Sequence, residues 1–219
     1  MGVSAKAAKE RPLTDVTTPT NGAEGTIGIE EPYTAETTIQ GTADLLFHGW
    51  NVEAIEEKSK ASKGSEAKKT DNIETYVLRD NDGFICLPSE YLRMSIVNAA
   101  RRKQDPSSPR KSAYDPFKAS VIALEPLVPT INAKGEKTKE WDFAHKCRVQ
   151  VQRSGIARCR PAFHKGWRAT VQLMVMTPEY ISQDLLHDVA EKAGRLNGVG
   201  DYRPTHGRFR IVRWEIANA

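Results

Sequence analysis

Long apolar runs are missing from this 219-residue chain. No stretch approaches the roughly 18 to 20 residues that a membrane span needs, and the start, MGVSAKAAKERPLTD, has no apolar signal-peptide core. No membrane partner is expected, and the protein is assigned to the cytoplasm. Cysteine is scarce: Cys86, Cys147 and Cys159 are odd in number and scattered, without the CxxC spacing of a zinc clip. They read as reduced core or strand residues. His145, His164, His187 and His206 are too dispersed for a metal site, and no Ser/His/Asp or paired-carboxylate arrangement stands out. The glycines at 198, 200 and 207 do not form the dinucleotide fingerprint, since no strand leads into them and no helix follows. No metal or other cofactor is implied.

Acid is what one long segment lacks. Between Phe143 and Pro178 there are Lys146, Arg148, Arg153, Arg158, Arg160, Lys165 and Arg168, and no Asp or Glu. The net charge of +4 thus hides a lopsided chain: residues 1–57 hold three basic against ten acidic groups, and the remainder 29 against 18. A basic body with an acidic head fits a polyanion, whose phosphates need several dispersed cations. Two further clusters are Arg101, Arg102 and Lys103 with Arg110 and Lys111, and a Gly-rich stretch carrying Arg195, Arg203, Arg208 and Arg210. Phe163, His164 and Trp167 stand among the cations as base-stacking candidates if exposed, with the core as the other place for the two large rings.

Negative mean hydropathy and 27% charged residues leave room for one hydrophobic core. Residues 1–36 read as a flexible acidic arm and residues 37–219 as a single domain with insertions near 56–71 and 104–140. Alternation predicts a long strand from Thr37 to Val52 and a hairpin turning at Asn81-Asp82-Gly83 between Thr75–Leu78 and Phe84–Leu87. A helix capped by Ser89 follows, with Leu92, Ile96 and Ala99 inward. Three prolines mark Gln104–Lys118 as loop, Ala119–Leu124 resumes as strand, and Pro126–Glu140 reads as an excursion. Strands with one buried face are expected around Cys147–Val151 and Trp167–Val175. A second helix runs from Ser182 to a stop at Gly194, and the last strand, Arg208–Ile216, switches parity at Ile211/Val212, which predicts a bulge. The resulting order, β-α-β-β-α-β, is α+β and ferredoxin-like, the order of RRM-like modules, with an antiparallel sheet.

At two places the residues resemble a known family. ICLPSEYLRMSIVNAARR, Ile85 to Arg102, is similar to the motif of the RAMP superfamily, in which a strand end, Pro and Ser lead into a helix of Leu-Arg-x-x-Ile-x-x-Ala-x-Arg type. The Gly-rich segment before the last strand resembles that superfamily's C-terminal loop. Together they cover most of residues 37–216. The nearest likeness is to the backbone subunits of CRISPR effector complexes, which polymerise along a guide RNA. It implies that Ser89, Arg93, Arg101 and Arg102 meet the RNA backbone, and that the 56–71 and 126–140 insertions are finger or thumb elements. Pro88-Ser89-Glu90 stands where many relatives have Pro-Gly-Ser-Ser.

The reading is a non-catalytic protein that binds single-stranded nucleic acid, RNA favoured over DNA, as a homo-oligomeric filament or as a subunit of a ribonucleoprotein complex. The resemblance also implies an alternative, a RAMP-type endoribonuclease, with His48, Asp44 and Asp71 as candidate catalytic groups. Two others are a phage single-stranded DNA-binding or annealing protein, and a mimic of a CRISPR subunit that blocks assembly of the complex.

Overall fold

Every second residue of YTAETTIQG carries the hydrophobic load, and β-branched Thr and Ile suit a pleated, half-buried surface. These residues form β1 (Tyr33–Gly41), with Tyr33, Ala35, Thr37, Ile39 and Gly41 buried and the residues between them half-exposed. The computed structural model describes residues 30–49, 56, 60, 73–151 and 154–218. Most of the expected arm and of the 56–71 insertion, with Val52, Asp71 and Arg153, lies outside them.

Along the chain follow β2 (Leu45–Leu46), a 3-10 turn at Ile73–Tyr76, β3 (Leu78–Arg79), β4 (Ile85–Pro88), α1 (Ser89–Ala99) and a further turn at Ala100–Arg102. Then come β5 (Gln104–Asp105), β6 (Ser108–Ser112), α2 (Tyr114–Ser120), β7 (Val121–Ala123) and β8 (Leu127–Pro129). The chain closes with β9 (Phe143–Val151), β10 (Ser154–Phe163), β11 (Arg168–Val175), α3 (Gln183–Leu196) and β12 (Phe209–Asn218).

The main sheet has the order β12-β1-β11-β7, with every pair antiparallel. Taking β1, α1, β7, β11, α3 and β12 in turn gives β-α-β-β-α-β, in which each helix joins two strands separated by a third. This is the expected ferredoxin-like core. α1 and α3 pack on one face over Ile39, Val171, Leu173, Leu92, Ile96 and Val189, all fully buried. Thr38, Gln40, Arg168 and Thr170 lie on the opposite, open face. Smaller sheets, β2-β10-β9 and β3-β4-β8, flank this core.

Local chemistry explains where the sequence-based boundaries move. β1 stops at Gly41 because Trp167 lies against it; a Cβ there would sit 2.0 Å from the indole nitrogen, which donates to Ala43 O at 2.9 Å. The long strand read over 37–52 therefore begins earlier and breaks, and Leu45–Leu46 pairs with β10 instead. Trp167 and Phe163 are both 0% exposed, with Phe163 edge-on to Phe47, so neither ring is a stacking platform.

The turn at 81–83 is present, Asp80 Oδ1 accepting from Asp82 N and Phe84 N, but its first strand is only Leu78–Arg79. The expected loop over 104–118 is a β5–β6 hairpin plus α2, where Pro116 occupies the first helical turn and removes no intrahelical bond. Pro126–Glu140 is no excursion: β8 pairs with β4, Val128 is 1% exposed, and Ile131 exchanges backbone bonds with Arg168.

α1 begins directly from β4. Pro88 is its N-cap and Ser89, fully buried, makes no capping bond; its N–H goes to Pro126 O. Gly194 does not end α3. It lies inside the helix where a Cβ would meet Phe209 O at 2.3 Å, and the stop is three residues later at Asn197 and Gly198, φ 72°. The bulge in β12 is where parity placed it: Thr38 pairs with Arg213 and Ile39 with Ile211, leaving Val212 out.

Candidate nucleic-acid interface

Residues 197–208, between α3 and β12, are drawn tightly over the end of the sheet. Gly207 N donates to Asp44 O at 2.8 Å and Val199 N to Gly207 O at 2.9 Å. At Gly207, φ 72°, a Cβ would fall 1.7 Å from Val199 O, so glycine is required both by conformation and by space. Asp201 N binds Leu46 O at 2.9 Å, stitching the loop to β2.

Asp201 is the hub of this loop. Its Oδ2 accepts from Arg160 Nε at 2.7 Å and lies 3.6 Å from His48 Nδ1; its Oδ1 accepts from Tyr202 N at 2.9 Å. The Arg160 side chain is 5% exposed and sits 4.6 Å over the Tyr76 ring. Burial by itself would lower its pKa, but the hydrogen bond and charge of Asp201, with smaller contributions from Tyr76 and Tyr202, raise it. The next residue, Tyr202, adopts φ 51° and its hydroxyl accepts from the Cys147 thiol at 3.1 Å. Burial, and after it the neighbouring Cys147, pushes the phenol up to about 12. His206 packs edge-on to His145 at 4.9 Å, and burial followed by the His145 charge holds its pKa below the ordinary 6.5. The loop is thus clamped to the β9–β10 hairpin on one side and to β2 on the other.

On its remaining side the loop borders a cleft of about 540 Å³, lined by Asn98 of α1, Leu196 and Asn197 at the end of α3, and loop residues 200–204. Cations surround it. Arg203 is in its wall, Arg208 Nε is held by Pro204 O at 2.7 Å, Arg102 reaches Asn197 Oδ1 at 3.5 Å, and Arg195 stands exposed on the last turn of α3. Arg158 lies opposite Cys147 in the hairpin and so faces the loop beside Tyr202. Burial raises the pKa of Tyr91 on α1, opposed by Arg203 and aided by Asp201, so α1 and the loop lie within one another's electrostatic reach.

Other cations from the sequence reading lie elsewhere. Lys146 and Arg148 are exposed on the outer side of the hairpin, and Arg168 on the open sheet face. Lys165 is in the β10–β11 turn, its N–H on Asp44 Oδ1. Arg110 and Lys111 are exposed on β6, Arg101 stacks on Tyr114 at 3.9 Å, and Lys103 pairs with Asp188 at 2.5 Å. Ser89 and Arg93, which the family resemblance points toward RNA, are used internally. Ser89 is 0% exposed, and Arg93 donates to Val121 O at 2.6 Å, Lys118 O at 2.8 Å and Glu90 at 2.7 Å. Asp44 serves as a turn acceptor. Asp201, Tyr202 and the His145–His206 contact were missed in the sequence, whose one pointer to them is that GDYRPTHG sits between glycines.

No family model and no curated protein matches the chain. Solved structures do. A chain of the type III-B Cmr-beta complex, from its cryo-EM structure bound to cognate target RNA, superposes with a TM-score of 0.51 at 6% identity, covering 86% of this chain and 61% of that one. The Csm3–Csm4 subcomplex of the type III-A CRISPR-Cas interference complex contributes a chain at 11% identity and TM-score 0.37, covering 86% and 79%; a score that low supports no inference. The present chain spans about three fifths of the Cmr-beta chain it matches. The likeness to the Cmr-beta chain, over 86% of the present one, is one of fold alone.

Proposed function

We propose that the chain binds single-stranded RNA without cleaving it, as one of several like subunits along the strand. The observation that carries this reading is the cleft between α1 and the Gly-rich loop, with Arg102, Arg203 and Arg208 around its mouth. Dispersed cations on rigid backbone match a polyphosphate and no compact substrate. RNA is favoured because the fold is shared with a chain of a complex bound to cognate target RNA. Lys146, Arg148, Arg158, Lys165 and Arg168 extend the positive surface, and a strand leaving the cleft runs along the hairpin. Filter retention of labelled RNA and DNA strands across a salt series tests it. Retention of RNA that falls steeply with salt and drops in Arg102→Ala and Arg203→Ala is expected. Failure to retain either strand at low salt refutes the reading.

A second reading, endoribonuclease, is favoured by one observation: His48, half-exposed, has the Asp201 carboxylate 3.6 Å from Nδ1. A carboxylate there orients an imidazole, as a general acid or base requires. Specific RNA cleavage by the intact chain that His48→Ala abolishes would establish it; unchanged RNA after prolonged incubation dismisses it.

A further inference from the structure

Cations around the mouth of the cleft account for phosphates but not for what lines its interior. Tyr91, Ser95, Asn98 and Arg102 recur at helical spacing, which puts them on one stripe of α1 and of the turn that continues it. Three of the four are engaged. The Tyr91 hydroxyl donates to His48 O at 3.4 Å, Ser95 O accepts from Asn197 Nδ2 at 2.8 Å, and Arg102 Nη1 reaches Asn197 Oδ1 at 3.5 Å. The Asn197 carboxamide is thereby used at both its ends and pins the end of α3 to α1. Asn98, half-buried in the same cleft wall, has a carboxamide with no hydrogen-bond partner among the described residues.

Elsewhere the wall is aliphatic. Leu196, the last residue of α3, is 45% exposed, and Pro204 follows Arg203 in the loop. The remaining polar side chains are already used: Asp201 accepts from Arg160 and from Tyr202 N, and the Tyr202 hydroxyl accepts from Cys147. A concavity of about 540 Å³ falls within the roughly 300 to 1,000 Å³ of small-molecule sites, which join apolar walls to a few placed polar groups. Phosphates by themselves call for neither an aliphatic wall nor a neutral amide. A flat heterocycle carried on a phosphate chain calls for both.

We propose that the cleft takes one unstacked base of the bound strand, its flat face on Leu196 and its edge on Asn98, and that this base is adenine. The proposal deepens the RNA-binding reading above and rests on it. A carboxamide offers one donor beside one acceptor, the complement of the N7 acceptor and N6 amino donor along one edge of adenine. The same edge of guanine offers two acceptors and matches an arginine, and pyrimidines lack it. Bases pulled out of the stack are those whose edges a protein reads in single-stranded RNA. The flanking phosphates fall to Arg203 in the wall and to Arg102 and Arg208 at the mouth, so positioning and base selection are divided between different side chains.

Filter retention by the full chain tests it, with equal-length strands that are all uridine or carry one central adenosine, guanosine, cytidine or abasic residue. Wild type is expected to hold the adenosine strand about tenfold more tightly than the others. Asn98→Ala puts the best helix former at a half-buried helix position and is checked for an unchanged thermal melt. It is expected to lose the preference and to hold all the strands about equally. Leu196→Ser, which removes the surface under the base, is expected to weaken retention of the adenosine strand severalfold and that of the abasic strand less. Equal retention of all strands by wild type, a preference for another base, or an adenine preference that survives Asn98→Ala overturns the base site and leaves the RNA-binding reading standing. Retention of no strand at low salt overturns both.

Discussion

Arg160 shows how one residue's charge is put to structural use. Its guanidinium is nearly solvent-free and depends on Asp201, so Asp201→Ala leaves a buried charge unpaired and should cost about 3 kcal/mol. A thermal melt reads this out, and adding Arg160→Met should recover part of the loss. Gly207→Ala places a methyl on the Val199 carbonyl as well as straining φ, and is expected to lower stability and abolish RNA retention together. Gly135→Ala, at φ 90° with no atom within 4 Å, should cost only about 1 kcal/mol and leave retention intact. His206 carries a pH dependence. Its folded pKa lies below 6.5, so as pH falls through that value the unfolded chain takes up the proton first and stability drops. Melts between about pH 7 and 5 should therefore decline less steeply for His206→Gln than for wild type.

At the scale of elements, α1 separates two kinds of arginine that look alike in the motif. Arg93 ties α1 to the carbonyls of Lys118 and Val121, while Arg102 points toward the cleft. Arg93→Ala is expected to lower stability by about 2 kcal/mol with little effect on RNA retention by the folded protein, and Arg102→Ala to do the opposite. Measuring melt and retention on both variants tests the distinction. The periodicity of α1 was legible because Leu92, Ile96 and Ala99 share a helical face whatever they pack against. The roles of Ser89 and Arg93 were not, because they depend on Pro126 and Val121, which reach that helix only through the fold. Helix α2 escaped the sequence reading for a related reason: three prolines nearby read as loop, and the first-turn position of Pro116 is visible only once the helix is in place.

For the whole molecule, charge is laid out along the strands. The Gly-rich loop and hairpin bring cations to one end, while Glu30, Glu31 and Asp184 line a cleft of about 500 Å³ at the other, beside the start of β1 and of α3. RNA bound at the basic end should be released by salt, with a log–log slope of about −0.7 per phosphate neutralised; Arg203→Ala should lower the magnitude of that slope by roughly one such unit. Among the described residues no helix is long and apolar enough to cross a membrane.

The sequence by itself determined the order of the six core elements, the bulge at Val212 and the acid-free run from Phe143 to Pro178. Each is a matter of residue type along the chain, where period-2 and period-3.6 patterns need no knowledge of partners. The tertiary structure alone decided which cations converge. Arg160, from that run, is consumed by Asp201 inside the fold, whereas Arg102, Arg203 and Arg208, from two distant segments, meet at one cleft. It also decided that Phe163 and Trp167 are core, since burial is settled by what lies across the sheet and the ring itself carries no record of it.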